Sequence, residues 1–324
     1  MRAIVVTELG GPEVMTLAEQ PDPVPGPGRV LVKVAAAGVN FIDIYHRSGY
    51  YPQPVPYVPG LEGAGTVIAA GDGVTGFAAG DHVAWAAAVG SYAEQVTVDA
   101  RQLVPVPAGI DLKAAAAVIL QGLTAHYLCR STFPVTEGAV AVVHAAAGGV
   151  GLLLTQMIKD LGGTVIATTS SAPKAELAAA AGADHVTSYE QFAEVVRQVT
   201  GGRGADVVFD GVGKDTFDAS LSALRPRGMM VLYGASSGPV PPVDPQRLNR
   251  GGSLFLTRPT LANYAVDRAE LLWRTSDVFG WISKGELSVA IGGEYPLADA
   301  RLAHEDLVAR RTTGKLILVP LSPL

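Results

Sequence analysis

Val140, Ala141, Val142 and Val143 form an apolar, mostly β-branched run that leads through His144 into the small-residue turn 145–151 and then an apolar helical stretch to Leu161. A buried strand, a glycine turn and a helix in that order are suited to hold a phosphate. Gly148 and Gly151 let the backbone approach a pyrophosphate, and Gly149 and Val150 open a helix whose free N–H groups and dipole favour an anion. A full G-x-G-x-x-G fingerprint would place a glycine at Ala146, so the match is partial, and an ordinary strand-turn-helix would show the same pattern.

The next strand, 164–168, bears on which nucleotide is meant. A free ribose 2′-hydroxyl calls for an acidic acceptor about 20 residues after the turn. This strand ends instead in Thr168, Thr169, Ser170 and Ser171, with Lys174 shortly after. Small hydroxyl donors plus a cation suit a 2′-phosphate, and no carboxylate is there to repel it, which favours NADP(H) over NAD(H). Ser170 or Ser171 could equally cap the helix that Pro173 opens, and the two uses are compatible.

These residues must be positioned by a sizeable fold. The chain has 324 residues, 48% hydrophobic and 17% charged, enough for two well-buried domains. A net charge of -6 disfavours nucleic-acid binding. Glu8 comes too early for a signal peptide, so a cytoplasmic location is the default expectation. Cys129 is the only cysteine, which rules out an internal disulfide and a cysteine-rich zinc site, and the six histidines show no paired ligand spacing. Residues 139–158 are apolar over about a membrane's width, but the stretch divides at Gly148 and Gly149 into a β-rich and a helical half, so no membrane span is expected.

From 138 to 259 strand and helix patterns alternate: strands 139–144, 164–168, 184–186, 206–210, 229–233 and 253–257, with helices after Gly149 and over 173–181, 191–200 and 215–224. Six strands with crossover helices predict a doubly wound parallel sheet with ligands beyond the carboxyl ends of the strands. Residues 1–110 predict an irregular β-rich domain with strands at 30–35, 64–69, 82–84 and 93–98. Residues 114–130 form a bridging helix. A helix over 267–283, a strand at 287–291, a helix at 298–311 and a strand over 315–319 return the chain to the first domain. The fold class is therefore α/β, with a site expected in the cleft between the two domains.

Four segments carry a resemblance: Gly38, Val39, Asn40, Phe41, Ile42 and Asp43; Pro59, Gly60, Leu61, Glu62, Gly63, Ala64 and Gly65; Gly80, Asp81, His82 and Val83; and the turn 145–151. Together they resemble the medium-chain dehydrogenase/reductase superfamily. Arg47 to Pro52, Gly122-Leu123-Thr124 and Thr257-Arg258-Pro259 narrow the resemblance to its zinc-free NADPH:quinone reductase, or zeta-crystallin-like, branch. The resemblance implies a GroES-like β-rich catalytic domain over 1–120, completed by 260–324, and a doubly wound six-stranded parallel Rossmann domain over 121–259 that binds NADPH. Zinc-dependent relatives carry a cysteine where this chain has Asn40 and a histidine where it has Leu61, neither of which is a useful zinc ligand here, so no metal is expected.

The resemblance further places Asn40, Phe41, Ile42, Asp43 and Ile44 beside the nicotinamide, where the Asn40 amide could bond the acceptor oxygen or a ribose hydroxyl; a plain turn asparagine is the alternative. Tyr51, and less so Tyr45, could donate a proton or hydrogen bond to the oxyanion formed as hydride arrives, or could simply pack. It implies Thr124, Tyr127, Gly148, Gly149 and Val150 around the pyrophosphate and nicotinamide, Ser170, Ser171 and Lys174 around the 2′-phosphate, and Tyr189 near the adenosine phosphate. Tyr233, Gly234, Ala235, Ser236, Leu256, Thr257, Arg258 and Arg310 complete the cofactor set. Gly211 stands where related sequences commonly carry serine, so one hydroxyl contact is lost. His144 reads as a satisfied buried histidine, with a proton relay as the alternative.

The expected function is reduction of a quinone or similar electron-poor conjugated carbonyl by NADPH, without zinc. An enoyl or 2-alkenal reductase is a close rival. A non-catalytic NADPH-binding protein, including an RNA-binding one, is the rival from another class, which the acidic balance opposes. The resemblance also implies a homodimer, with the edge strand 253–257 as a candidate seam.

Overall fold

The computed structural model describes residues 1–320 and divides into two compact units, 1–121 together with the chain from Asp267 onward, and Gly122–Val266. The division falls within one long helix, Leu112–Tyr127. That helix and the π turn Leu128–Thr132 that follows are apolar and long enough to cross a membrane, yet 72% of the stretch is buried, as in a core helix.

The second unit is a six-stranded sheet, parallel throughout, in the order His185–Thr187, Thr164–Thr168, Val140–Val143, Ala205–Asp210, Leu224–Leu232, Phe255–Thr257. Its two central strands are buried on both faces, which is why Val140–Val143 and Ala205–Asp210 read as continuous apolar runs. Val142, Ile166, Val208 and Met230 pack with Phe192, Val196 and Phe217 from the helices. Each such side chain contributes about 1.5–3 kcal/mol by leaving water. The strand order reverses between Val140–Val143 and Ala205–Asp210, and this opens a crevice beyond their carboxyl ends.

The first unit centres on the long strand Arg29–Val39, which pairs antiparallel with Gly63–Ala70, Gln95–Asp99 and Lys315–Val319. Trp85, Tyr92, Leu103, Val32 and Leu318 fill its core. Leu316 lies opposite Val39, and this register delivers Lys315 to the point where the chain turns into Asn40.

Most elements fall within a residue or two of the sequence reading, but several do not. The expected strand 287–291 is displaced to Ile291–Pro296, where parallel pairing with Lys315–Val319 overrides the poor strand propensity of two glycines and a proline. The expected helix 298–311 is a short 3-10 turn, Leu297–Asp299, and a helix Ala300–Val308. The fifth parallel strand begins earlier, at Leu224. A hairpin of Arg2–Val6 and Met15–Glu19 and a helix Phe41–Ser48 were not anticipated. Asp43 Oδ2 accepts the Asn40 N–H at 2.9 Å at the start of that helix, and Gly49 ends it in the left-handed conformation.

Candidate functional site

In the second unit the sheet gathers the predicted residues at one edge. Gly148, Gly149 and Val150 follow Val140–Val143; Ser170, Ser171 and Lys174 follow Thr164–Thr168; Tyr189 follows His185–Thr187. Tyr233, Gly234, Ala235 and Ser236 follow Leu224–Leu232, and Arg258 follows Leu256 and Thr257 of the edge strand. Thr124 and Tyr127 stand on the last turn of Leu112–Tyr127, where the Tyr127 ring stacks on Tyr264 at 4.5 Å with the planes 8° apart.

The glycine turn is built for close approach. Ala145 sits in the left-handed region with φ 51°, a conformation that costs a non-glycine residue about 1 kcal/mol or more. Gly148 caps the helix Gly149–Asp160, and no capping side chain takes up its first N–H groups. A Cβ at Gly151 would lie 2.5 Å from Ala145 O and 2.6 Å from Ala146 Cα, so only glycine lets helix and strand meet there. The turn therefore fits a pyrophosphate without a glycine at 146.

At the end of the second strand, Ser171 precedes the helix Ala172–Ala180 in extended conformation, and its hydroxyl makes no capping hydrogen bond. Ser170 and Ser171 are exposed, and no acidic residue lies between Thr168 and Lys174. The site thus offers hydroxyls, a helix N-terminus and a cation, a donor set that fits a phosphomonoester. His144 is a satisfied buried histidine, with Nδ1 at 2.8 Å from Thr168 Oγ1 and Nε2 at 2.9 Å from Ser220 Oγ; burial holds its pKa below the usual value. The absence of a serine at Gly211 has a steric counterpart: a Cβ there would lie 2.9 Å from Tyr233 Oη and Cζ.

In the first unit, Asn40 does not present a free amide. Its Nδ2 donates to Glu62 Oε1 at 2.7 Å, and its Oδ1 accepts from Lys315 Nζ at 2.7 Å and from Gln121 Nε2. Lys315 also pairs with Glu62 and donates to Val39 O at 3.2 Å, while Glu62 Oε2 accepts from Leu120 N at 2.9 Å. Asn40, Glu62, Gln121 and Lys315 are all at least nine-tenths buried. Sequence reasoning missed Gln121 and Lys315 altogether; the signal was a lysine opening an otherwise apolar strand.

Asp43 is 1% exposed and accepts the Tyr92 hydroxyl at 3.0 Å, and Tyr92 in turn meets His304 Nε2 at 3.0 Å. Burial pushes the Asp43 carboxyl up to about 7, against the opposing pull of Tyr92 and Lys315, and burial holds His304 down to about 3. Phe41, Tyr45 and Tyr51 belong to an aromatic cluster that also includes Tyr50: Tyr51 lies 5.7 Å edge-on from Tyr45 and 4.7 Å from Tyr50. Tyr50 and Tyr51 are 43% and 40% exposed, so the cluster offers an aromatic surface. Ile42 and Ile44 lie on the same helix, and Arg310 follows Ala300–Val308 with φ 56°. Among the described residues no three histidine, cysteine, aspartate or glutamate side chains form a metal-ligating group.

Comparison with known proteins agrees with this architecture. The family model described as alcohol dehydrogenase GroES-like domain matches residues 26–108, and the one described as zinc-binding dehydrogenase matches residues 149–267. A quinone oxidoreductase of Pseudomonas aeruginosa is 45% identical over 315 residues, 96% of this chain and 97% of that protein. A 2-haloacrylate reductase of a Burkholderia species is 40% identical over 329 residues, 98% of each chain. The crystal structure of Escherichia coli quinone oxidoreductase complexed with NADPH superposes with a TM-score of 0.97 at 41% identity, covering 99% of this chain and 100% of that one. A glycine turn at the head of a doubly wound sheet, joined in one chain to a GroES-like unit and shared end to end with these relatives, makes this chain an oxidoreductase that belongs to the quinone oxidoreductase branch of the medium-chain dehydrogenase/reductase superfamily.

Proposed function

We propose that the protein is a zinc-independent, NADPH-dependent reductase of quinones or similarly electron-poor conjugated carbonyls. The observation that carries this reading is the Lys315 ammonium lodged against Asn40 and Glu62. At 40 and 61 the side chains are an amide and an isobutyl group, the Glu62 carboxylate is already paired with a buried cation, and the Asp43 carboxyl is turned to Asn40 N and the Tyr92 hydroxyl. That donor set does not fit zinc, which prefers thiolate, imidazole and free carboxylate. An acceptor that is already electron-poor needs less Lewis-acid help than an alcohol does.

NADPH, when bound, supplies the hydride, and a proton from the medium completes the overall two-electron reduction of a quinone to its hydroquinone. The chain's own work is to bind and orient. Gly149, Val150 and Gly151 receive the pyrophosphate on backbone N–H groups, Gly148 donating its own to Ala145 O at 2.9 Å, and Ser170, Ser171 and Lys174 receive the 2′-phosphate. The exposed ring faces of Tyr50 and Tyr51 offer a planar acceptor a stacking surface, and a tyrosine hydroxyl there can donate to the oxygen on which charge develops.

The test is loss of reduced-nicotinamide absorbance with 1,4-benzoquinone, 9,10-phenanthrenequinone, a 2-alkenal and a 2-haloacrylate, each with NADPH and NADH and with or without EDTA. Quinone turnover that prefers NADPH and ignores EDTA is expected. Turnover of the haloacrylate or alkenal alone would move the assignment to an unsaturated-carbonyl reductase, a reading favoured by the similarity to the 2-haloacrylate reductase. Dimerisation through the edge strand Phe255–Thr257, where Phe255 is 57% exposed, belongs to the same proposal; a monomer in size-exclusion chromatography would remove it.

A further inference from the structure

The buried amides around Lys315 have a polarity that chemistry settles. Which end of an asparagine or glutamine is oxygen is ordinarily decided by its neighbours. An ammonium has donors only, so the Asn40 atom 2.7 Å from Lys315 Nζ is oxygen. Asn40 Nδ2 then faces Glu62 Oε1, an acceptor, at 2.7 Å. The Gln121 atom that meets Asn40 Oδ1 must in turn be a donor, because two amide oxygens in contact would repel. The chain from Lys315 through Asn40 to Gln121 therefore leaves Gln121 Oε1 facing away from Asn40.

Every other polar side-chain atom of this set has a partner. Both Glu62 oxygens are engaged, both Asn40 amide atoms are engaged, and Lys315 meets three acceptors. Gln121 Oε1 alone is buried with no hydrogen-bond partner, on a side chain whose residue is 8% exposed. A buried carbonyl left unpaired costs about 1–3 kcal/mol, which a ligand donor would recover on binding.

We infer that Gln121 Oε1 is a ligand contact that accepts an N–H or O–H from the reduced dinucleotide, and that Lys315 is the positioning residue that fixes its polarity through Asn40. The inference rests on the NADPH reading above. A quinone or enone presents carbonyl oxygens and no donor, so this acceptor repels the oxidised substrate. The dinucleotide carries two donor classes, the carboxamide N–H and the ribose hydroxyls. The same relay turns the Asn40 amide N–H groups toward Glu62 Oε1 and Gly38 O and so away from an acceptor oxygen.

Calorimetric titration of the full-length protein with NADPH, with 2′,5′-ADP and with the 3-acetylpyridine analogue of NADPH, which lacks the carboxamide N–H, tests the inference. Gln121→Leu is expected to bind NADPH about tenfold more weakly and 2′,5′-ADP as the parent does, which also shows the fold intact. If the donor is the carboxamide, the analogue binds parent and variant alike; if it is a ribose hydroxyl, the analogue keeps the tenfold difference. The neutral pair Lys315→Met with Glu62→Gln removes the cation without stranding a carboxylate, and is expected to weaken NADPH but not 2′,5′-ADP. A Gln121→Leu variant that binds NADPH as tightly as the parent would overturn the ligand contact. The double variant binding NADPH like the parent would overturn the role of Lys315. A parent protein that binds neither NADPH nor 2′,5′-ADP would overturn the NADPH reading itself.

Discussion

Replacing Asp43 by asparagine should stabilise the protein at neutral and alkaline pH. The carboxyl is 1% exposed, its Oδ2 accepts from Asn40 N and the Tyr92 hydroxyl, and its Oδ1 is buried with no partner. Burial raises it from 3.8 to about 7, and Glu62 adds to the rise while Tyr92, Lys315 and the Asn40 N–H oppose it. With the folded value above the unfolded one, the native state holds the extra proton between those two values. Stability from this group is thus fully present below about pH 4, is lost as pH rises toward about 7, and stays lost above. The full gap corresponds to about 4 kcal/mol. Asparagine keeps one oxygen for the two donors and carries no charge, but its Nδ2 replaces the unpartnered oxygen and costs about 1–2 kcal/mol if unpaired. The variant should therefore be more stable by about 2–3 kcal/mol near pH 8 and lose this advantage near pH 4. His304, held at about 3, has the opposite slope between its folded value and 6.5 and cancels in the comparison. All three tryptophans, Trp85, Trp273 and Trp281, lie in the first unit, so urea unfolding followed by their fluorescence reports the unit that holds Asp43. A variant less stable than the parent near pH 8, or a difference that does not change with pH, would refute the reasoning.

Lys174→Glu should raise the KM for NADPH by about 10–100-fold and leave that for NADH within about twofold, because it sets a carboxylate beside the 2′-phosphate; an unchanged NADPH to NADH ratio counts against the site. Gly151→Ala drives a methyl against Ala145 O and Ala146 Cα, both backbone atoms, and should weaken 2′,5′-ADP binding at least about tenfold in calorimetry. Lys315→Met alone strands the buried Glu62 carboxylate and should cost about 3–5 kcal/mol in urea unfolding, of which adding Glu62→Gln restores at least half. Failure of the second change to restore stability would mean the pair is not what holds that corner together.

The second unit was legible because its signals are local and repeated. Buried β-branched runs such as Val140–Val143 alternate with helical stretches, and the turn residues sit where each strand must end. The polar centre of the first unit was not, because Asn40, Glu62, Gln121 and Lys315 come from four separate elements and no periodicity links them. Asn40 stands out in the sequence as a candidate and Glu62 only as part of the segment 59–65, and what their side chains touch depends on Lys315, which sequence treats as one more lysine. The strand Ile291–Pro296 lies later in the chain than expected because only pairing with Lys315–Val319 makes a strand of two glycines and a proline. The helix Phe41–Ser48 carries a local signal, an asparagine followed three residues later by aspartate, in residues that equally suit a ligand-binding turn.

The register that seats Lys315 has a consequence for biosynthesis. Its partners Asn40 and Glu62 precede it by 275 and 253 residues. Residues 122–266 leave the ribosome as an uninterrupted stretch able to close its own sheet, while the first unit still lacks its last strands. Until Lys315 emerges, Glu62 has no cation to accompany it into the interior and is held toward water by the cost of desolvating a lone carboxylate. The polar centre is thus locked from the carboxyl end of the chain, and a nascent polypeptide stopped short of Lys315 would expose an unfinished first unit beside a finished second one.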